Sequence, residues 1–384
     1  MAISRRVLLR RFGATTLAGV VVPSLDGLSF AGAPQAQPVT SHLEPQLPIL
    51  LDHNENAYGP SEKVLSVLRD AASISNRYPR TECDSLIAKI AAVHNVKSEQ
   101  VVLGCGSSEL LRLAATAFLR PGKTLVQASP THPALGKLAR SLGAEVIDVP
   151  LNRVHEHDVP AMQAHIRDTT GLVYVCNPNN PTGSLTPRKD IEVLIRKLPA
   201  KTMLLIDEAY HQFVDPHPNY ISFLEQPVDD PRVMVTRTFS KIYGLAGMRV
   251  GYAVAAPDVA RRLSAGQLHF GVGSVAAKAA AAALDDSPYV RLSAKRNADD
   301  RQEFMNRVNG GMLRAIDSHT NFVMMDPLRP PDEVIEHLKK NNIRIGPPIP
   351  AMDKYIRVSL GTPAEMDEFW RVWDLMPATG KMAM

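Results

Sequence analysis

A lysine stands in an unexpected setting in the segment "TRTFSKIYGLAGMRVGY", residues 236–252. Lys241 follows the β-type run VMVTRTF (233–239) and precedes a glycine-rich, mostly uncharged run that ends at Arg249. Weakly charged surroundings lower a lysine's pKa and make its neutral amine available as a nucleophile. Three other stretches could serve such an amine. The apolar run MLLI delivers Asp207 of "IDEAY" to a strand end, with Tyr210 three residues on; a carboxylate there is costly unless it meets a cation or donors. "GCGSSEL" (104–110) puts Ser107 and Ser108 at a helix start, where free N–H groups and the helix dipole attract anions. "NPNNPTG" (177–183) is a rigid polar turn whose amides, Asn180 among them, can donate to a ligand oxygen. Each alone reads as well as a cap or a plain turn. Together, a neutral amine, an anion-binding helix start and a strand-end carboxylate suit a Schiff-base lysine holding an anionic aldehyde cofactor.

These residues need a scaffold that brings strand ends together. From about residue 83 the pattern alternates. Helices are expected over 84–95, 106–119, 132–142, 160–168 and 187–197, and strands over 124–128, 145–149, 171–176, 203–207, 233–239 and 250–255. Short apolar strands alternating with helices mean an α/β protein with a mostly parallel sheet covered on both faces. Ligands bind such a sheet at the carboxyl ends of its strands. The last third changes character: helices at 275–284 and 287–309 precede "FVMMD", a helix near 331–340, "IRIG", "YIRVSLG" and a final helix from Pro363, which suits a smaller α/β domain.

The 384 residues are 45% hydrophobic and 21% charged, an ordinary globular composition. The formal net charge is +4, of which Arg5, Arg6, Arg10, Arg11 and Asp26 in the first 33 residues supply +3. The rest is near neutral, with no basic stripe to suggest nucleic acid. Those first residues read as a targeting segment: a basic start, a modest apolar stretch and a small-residue end at Ala31–Ala33. Ser4–Arg10 (SRRVLLR) resembles the twin-arginine export signal; a basic tail or an uncleaved membrane tether are the alternatives. Downstream, no apolar run is long enough for a membrane span. Cys83, Cys105 and Cys176 form no CxxC motif and are expected to be buried or inert thiols. "VHEHD" (154–158) has the residue types of a metal site but no distant partner, so no metal is expected.

The ordered set "HNENAYGPS", "RYP", "GCGSSE", "SPTHP", "NPNNPTG", "IDEAY", "TRTFSKIYGLAGMRVGY" and "YIRVSLGTP" resembles the pyridoxal-phosphate enzymes of fold type I. Within them it is most similar to class I/II aminotransferases of the histidinol-phosphate aminotransferase type, over roughly nine-tenths of the chain. The resemblance implies a leader (1–33), a linker and arm (34–60), a large cofactor-binding domain (61–272) and a small C-terminal domain (273–384). It implies pyridoxal 5′-phosphate bound covalently by Lys241, whose amine then moves the proton at the substrate's Cα. Asp207 would pair with the ring nitrogen; Tyr210 and Asn180 would hold the phenolic oxygen. Ser107, Ser108, Ser240 and Arg249 would cradle the phosphate, joined by Tyr78 from a neighbouring subunit, which implies a homodimer with a shared active site. Arg357 would bind the substrate's anionic group, with Tyr58 and Asn56 bordering the pocket. His132 stands in "SPTHP" where the family usually offers a tyrosine; it is expected to stack on the ring and to titrate near neutral pH.

Transamination between an amino acid, or an amino-acid-like compound, and a 2-oxo acid is the leading reaction. One arginine must accept both anionic ends, so Arg357 does not identify the substrate. Partners are then those two substrates and, if the leader works, the twin-arginine export machinery. The expected location is periplasmic or tethered to the inner membrane, and cytoplasmic if the leader does not function. Export weighs against histidinol-phosphate transamination proper, whose intermediates are cytosolic. A decarboxylase of the same fold and a non-enzymatic cofactor-binding protein are the remaining rivals.

Overall fold

The six expected strands and one further strand form one sheet in the computed structural model, which describes residues 47–377. The expected leader (1–33) and most of the linker lie outside the described residues. In chain order the elements are β1 (Ile49–Leu51), α1 (Glu62–Ala71), α2 (Glu82–His94), β2 (Val101–Cys105), α3 (Gly106–Phe118), β3 (Thr124–Ser129), α4 (Ala134–Ser141), β4 (Glu145–Pro150), α5 (Val159–Ala164), β5 (Thr170–Cys176), α6 (Arg188–Lys197), β6 (Met203–Asp207), β7 (Val233–Thr238) and β8 (Val250–Ala255). Then follow α7 (Pro257–Ser264), α8 (Ser274–Leu284), α9 (Ser287–Gly310), β9 (Arg314–Ala315), β10 (Phe322–Asp326), α10 (Pro331–Lys340), β11 (Ile343–Ile345), β12 (Ile356–Ser359) and α11 (Pro363–Asp374).

The large sheet has the order β2-β8-β7-β6-β5-β3-β4. Its strands run parallel except β8, which is antiparallel to both neighbours. The central strands β5, β6 and β8 are buried throughout, which explains their uninterrupted apolar sequence. The edge strand β4 instead carries Glu145 and Asp148, polar residues of the kind that discourage further pairing. Two apolar layers cover the faces. One holds Val126, Val173, Val175, Leu204 and Ile206 against α2, α6 and α8; the other holds Leu125, Leu172, Tyr174 and Leu205 against α3, α4 and α7.

The elements differ in places from the sequence expectations. The strand β2 and the helices α1 and α7 were not foreseen. Ser61 caps α1, its hydroxyl accepting the Val64 N–H at 3.2 Å. The helix expected over 160–168 ends at Ala164, and α4 begins only at Ala134, after Pro133.

A further core, supplied by Phe304, Val308, Val323, Ile343, Ile356, Phe369 and Trp370, lies on the antiparallel sheet β12-β10-β9 and the parallel pair β1-β11. Leu51 of β1 belongs to it, whereas the alanines of α8 pack into the main core. The capping box at Thr362 and Glu365 starts α11, with Pro363 in its first turn. Among the described residues, no helix is long and apolar enough to cross a membrane. All three cysteines are free thiols, and burial pushes Cys83 and Cys176 above their ordinary pKa. No group of three or more metal-ligating side chains occurs among the described residues. In the 154–158 loop, His157 is buried with Nδ1 against Thr186 Oγ1 at 2.7 Å.

Candidate active site

A cavity of about 870 Å³ opens over the carboxyl ends of β3, β5, β6 and β7. Its walls include Ser107, Ser108, His132, Asn180, Asp207, Tyr210, Ser240, Lys241, Arg249 and Arg357. The structure thus brings together ten of the thirteen residues singled out in the sequence.

Asp207 ends β6 in register with Cys176 on one side and Thr236 on the other. Its carboxylate is buried; Oδ2 accepts the Tyr174 phenol at 3.0 Å and Oδ1 the Ala209 N–H at 3.2 Å. The Thr236 hydroxyl lies buried near this strand end without a directed hydrogen bond. Burial raises the Asp207 pKa to about 6; the hydroxyls of Tyr174 and Thr236 and the Ala209 N–H pull it the other way.

Lys241 lies three residues beyond the end of β7. Its Nζ donates to the carbonyls of His53 and Asn54 at 2.8 and 2.9 Å. Burial, then the charge of Arg357, lowers its pKa to about 8, with Glu55 opposing and Arg249 adding. The expected weakly charged setting is therefore a cationic one, and it favours the neutral amine for two reasons. The Tyr210 hydroxyl accepts from Asn54 Nδ2 at 3.0 Å and Asn180 Nδ2 at 3.4 Å.

Arg249 adopts φ +56° at the start of β8 and donates from Nη1 to Ser240 Oγ at 3.1 Å. Beneath it, Gly106 opens α3 at φ +71°; a Cβ there would lie 2.2 Å from Arg249 Nη2. Gly251 is equally constrained, since its Cβ would come within 2.6 Å of the Ser107 nitrogen. The first N–H groups of α3, two serines and a guanidinium therefore converge, with glycine providing the room.

Arg357, on β12, reaches the cavity from the C-terminal core. Nη1 donates to Asn180 Oδ1 at 2.9 Å and Nη2 to the Asp52 carbonyl at 2.8 Å, while Nε is buried without a partner. His132 projects into the same space with Nδ1 buried and unpartnered. The expectation that it titrates near neutral pH does not hold. Burial, then the charges of Lys241, Arg357 and Lys137, pull its pKa down to about 4, so the ring is neutral across the physiological range.

Three expected residues fall outside the cavity. Tyr58 turns away and donates to Asp300 Oδ2 on α9 at 2.9 Å. Asn56 fastens its segment to the Ile242 carbonyl and Ser293 Oγ at 2.8 and 2.9 Å. Within this chain both are fasteners, and the neighbouring His53, Asn54 and Glu55 line the cavity instead. Tyr78 is 74% exposed and stacks on Phe270 with centroids 4.8 Å apart. The sequence reading missed Asn54, Tyr174 and Asn321, whose Nδ2 donates to the carbonyls of Asn54 and Glu55 at 3.0 and 2.9 Å. For Asn54 a signal existed: it heads "NEN" in a segment already singled out, and its φ of +54° suits asparagine.

This set fits an anionic pyridine aldehyde. The seat at Gly106–Ser108 suits a phosphate, Lys241 an aldehyde carbon, and Asp207 a ring nitrogen. The comparisons agree. Residues 48–372 match the family described as aminotransferase class I and II. A histidinol-phosphate aminotransferase of Caldicellulosiruptor saccharolyticus is 34% identical over 322 residues, which cover 84% of this chain and 89% of that protein. Histidinol-phosphate aminotransferase 1 of Dechloromonas aromatica is 36% identical over 84% of this chain and 88% of its own length. The crystal structure of histidinol-phosphate aminotransferase from Sinorhizobium meliloti, in complex with pyridoxal 5′-phosphate, superposes with a TM-score of 0.80 at 28% identity, covering 86% of this chain and 92% of that one. The chain belongs to the class I/II aminotransferase family. It is a pyridoxal-phosphate-dependent transaminase of fold type I, of the histidinol-phosphate aminotransferase type.

Proposed function

We propose that the protein moves an amino group between an amino acid, or an amino compound bearing an anionic group, and a 2-oxo acid, with Arg357 receiving the anionic end in both directions. The observation that carries this reading is the shared wall of Lys241 and Arg357. An amine whose pKa is lowered by burial and then by a guanidinium faces the same cavity as that guanidinium, whose Nε lacks a partner. An anion bound to Arg357 offsets the charge that depresses Lys241, so the amine becomes more basic once substrate is seated.

Bound pyridoxal phosphate supplies the aldehyde that takes the amino group and a ring that draws off electrons from the substrate's Cα. The chain supplies the rest. Lys241 holds the cofactor and, when displaced, moves the proton at Cα. Asp207 keeps a positive charge on the ring nitrogen. Tyr210 and Asn180 hold the ring's phenolic oxygen, and Asn180 also orients Arg357 through its Oδ1. Ser107, Ser108, Ser240 and Arg249 seat the phosphate, and His132 covers the ring as a neutral imidazole.

The curated relatives' names make histidinol phosphate the first amino compound to try. The test is a spectral screen of the purified holoprotein against amino acids and amino phosphates, with the 2-oxo product assayed. Conversion of the bound cofactor's absorbance by at least one compound, with stoichiometric oxo product, is expected. Carbon dioxide release without an oxo product would overturn the transaminase reading of the pocket.

Two further parts of the reading concern assembly and place. Tyr78 is exposed, stacks on Phe270 and does not line the cavity of its own chain, which supports a homodimer in which it serves the site of a second copy. Mixing Tyr78→Ala chains with inactive Lys241→Ala chains tests this, since one restored site per mixed dimer is expected. Ser4–Arg10 supports export through the twin-arginine route, which suits a protein whose cofactor is inserted as it folds. Fractionation that finds the mature chain only in the cytoplasm would refute the periplasmic location.

A further inference from the structure

We propose that Tyr174 is a positioning residue that keeps the shared proton on the cofactor's ring nitrogen rather than on Asp207. The inference rests on the reading that Asp207 faces that nitrogen. Tyr174 lies on β5, two residues before its end, and its side chain is fully buried in an apolar layer with Leu172, Leu205 and Met234. A phenol in such a layer needs a partner. It donates to Asp207 Oδ2 at 3.0 Å. The parallel register makes this reach possible: Cys176 is level with Asp207, so Tyr174 points to the same face one pleat behind it.

The consequence is chemical. A carboxylate and a pyridine share one proton, and the more basic partner keeps it. Asp207 sits where burial makes it unusually basic. The other groups acting on it are the Thr236 hydroxyl, the Ala209 N–H, the Glu208 carboxylate, which is tied to Arg237 at 2.9 Å, the Cys176 thiol, the Tyr210 phenol and the Lys241 amine. Glu208 and burial both raise its basicity, while the Tyr174 hydroxyl is foremost in lowering it. Tyr174 can do this without ionising, because burial and the Asp207 charge hold its own pKa well above the ordinary value. Without the hydroxyl, Asp207 becomes more basic by about one to two pH units, the worth of a hydrogen bond to a charged group. That is enough to draw the proton onto the carboxylate and weaken the ring as an electron sink.

The experiment uses the holoprotein loaded with pyridoxal phosphate labelled with nitrogen-15 in the ring. In the wild type the ring nitrogen should show the shift of a protonated pyridine, and Asp207→Asn should abolish it. Tyr174→Phe should keep the fold and the covalent link to Lys241 but move the resonance toward the unprotonated value. The half-reaction should slow by about 10- to 100-fold in kcat with KM little changed. If Tyr174→Phe does not fold, 3-fluorotyrosine at position 174, a stronger donor of nearly the same size, should move the resonance the opposite way. A wild-type nitrogen that is unprotonated or indifferent to Asp207→Asn overturns the placement of Asp207. A wild type and Asp207→Asn that behave as expected, with Tyr174→Phe or the fluorinated protein indistinguishable from wild type, overturns the role of Tyr174 alone.

Discussion

Gly106→Ala tests whether the junction of β2 and α3 is the anion seat. At φ +71° an alanine is strained by about 1–2 kcal/mol. That strain falls on the whole protein, loaded or not. The second effect falls only on the loaded state. A Cβ at position 106 would lie 2.2 Å from Arg249 Nη2 and 2.9 Å from its Cζ, so the guanidinium must swing aside. Its backbone cannot follow readily, because Arg249 sits at φ +56° between Met248 and the buried strand β8. Loss of one charge-assisted hydrogen bond is worth about 1.5–3 kcal/mol, which is roughly a 10- to 150-fold fall in cofactor affinity. Titration of the apoprotein with pyridoxal phosphate, followed by absorbance, reads this directly, and competition by inorganic phosphate reads the seat alone. Both affinities should fall together. A Gly106→Ala protein that melts a few degrees lower but binds cofactor and phosphate within twofold of wild type would refute the assignment.

Loading should depend on the amine of Lys241. Its pKa of about 8 lies below that of a free lysine, so the rate of covalent attachment to the apoprotein should rise with pH up to about 8 and level off, whereas a solvated lysine would keep gaining to above 10. Changing His132 to Phe should leave the shape of the pH–rate profile between pH 5 and 8 unaltered, because the imidazole is already neutral there; a lost ionisation in that window would contradict the geometry. The histidines His94, His132 and His157, each held at about 4 by removal from water, take up protons more readily in the unfolded chain. Stability should therefore be fully present above pH 6.5 and decline as pH falls toward 4, as read by urea midpoints. Arg237→Met, which leaves the Glu208 carboxylate buried without its cation, should cost about 3–5 kcal/mol in urea unfolding, far more than the exposed Lys295–Asp299 pair.

The residues that close an apolar run were legible in the sequence. Asp207 ends an expected strand and Lys241 follows one, and the parallel arrangement puts them at one edge; Gly106–Ser108 is legible as a helix start, but the strand β2 that brings it to the same edge is not. The reversed strand β8 could also have been anticipated, since the connection 239–249 holds no α-helix and is short for a parallel crossover. Other features depend on tertiary packing alone. Tyr174 reads as core because it lies inside a continuous apolar run, and nothing local says that its hydroxyl meets the next strand's carboxylate. Tyr58 and Asn56 belong to the right segment, but the direction of a side chain in an irregular segment is set by what packs on it, here α9 and the turn after Lys241. A solution pKa for His132 fails because tertiary packing buries the ring and, second to that, sets it among Lys241, Arg357 and Lys137.

The segment 52–56 explains how two separate cores can serve one reaction. Lys241 belongs to the main sheet and Arg357 to the C-terminal core, yet both hydrogen-bond to successive carbonyls of this one stretch: Asp52 for Arg357, His53 and Asn54 for Lys241. Asn321, just before β10, donates to the same Asn54 carbonyl and to that of Glu55, and Ser359 both accepts the Asn54 N–H and donates to its Oδ1. Asn54 then reaches Tyr210 with its remaining amide. A displacement of this stretch would therefore move the amine's partners, the phenol's donor and the guanidinium's anchor together. Such coupling allows an anion arriving at Arg357 to be felt at Lys241 through shared backbone as well as through charge. Asn54→Ala should accordingly lower kcat and raise KM together, although Asn54 donates to no group assigned here to substrate; a change in KM alone would show that the stretch only gates entry.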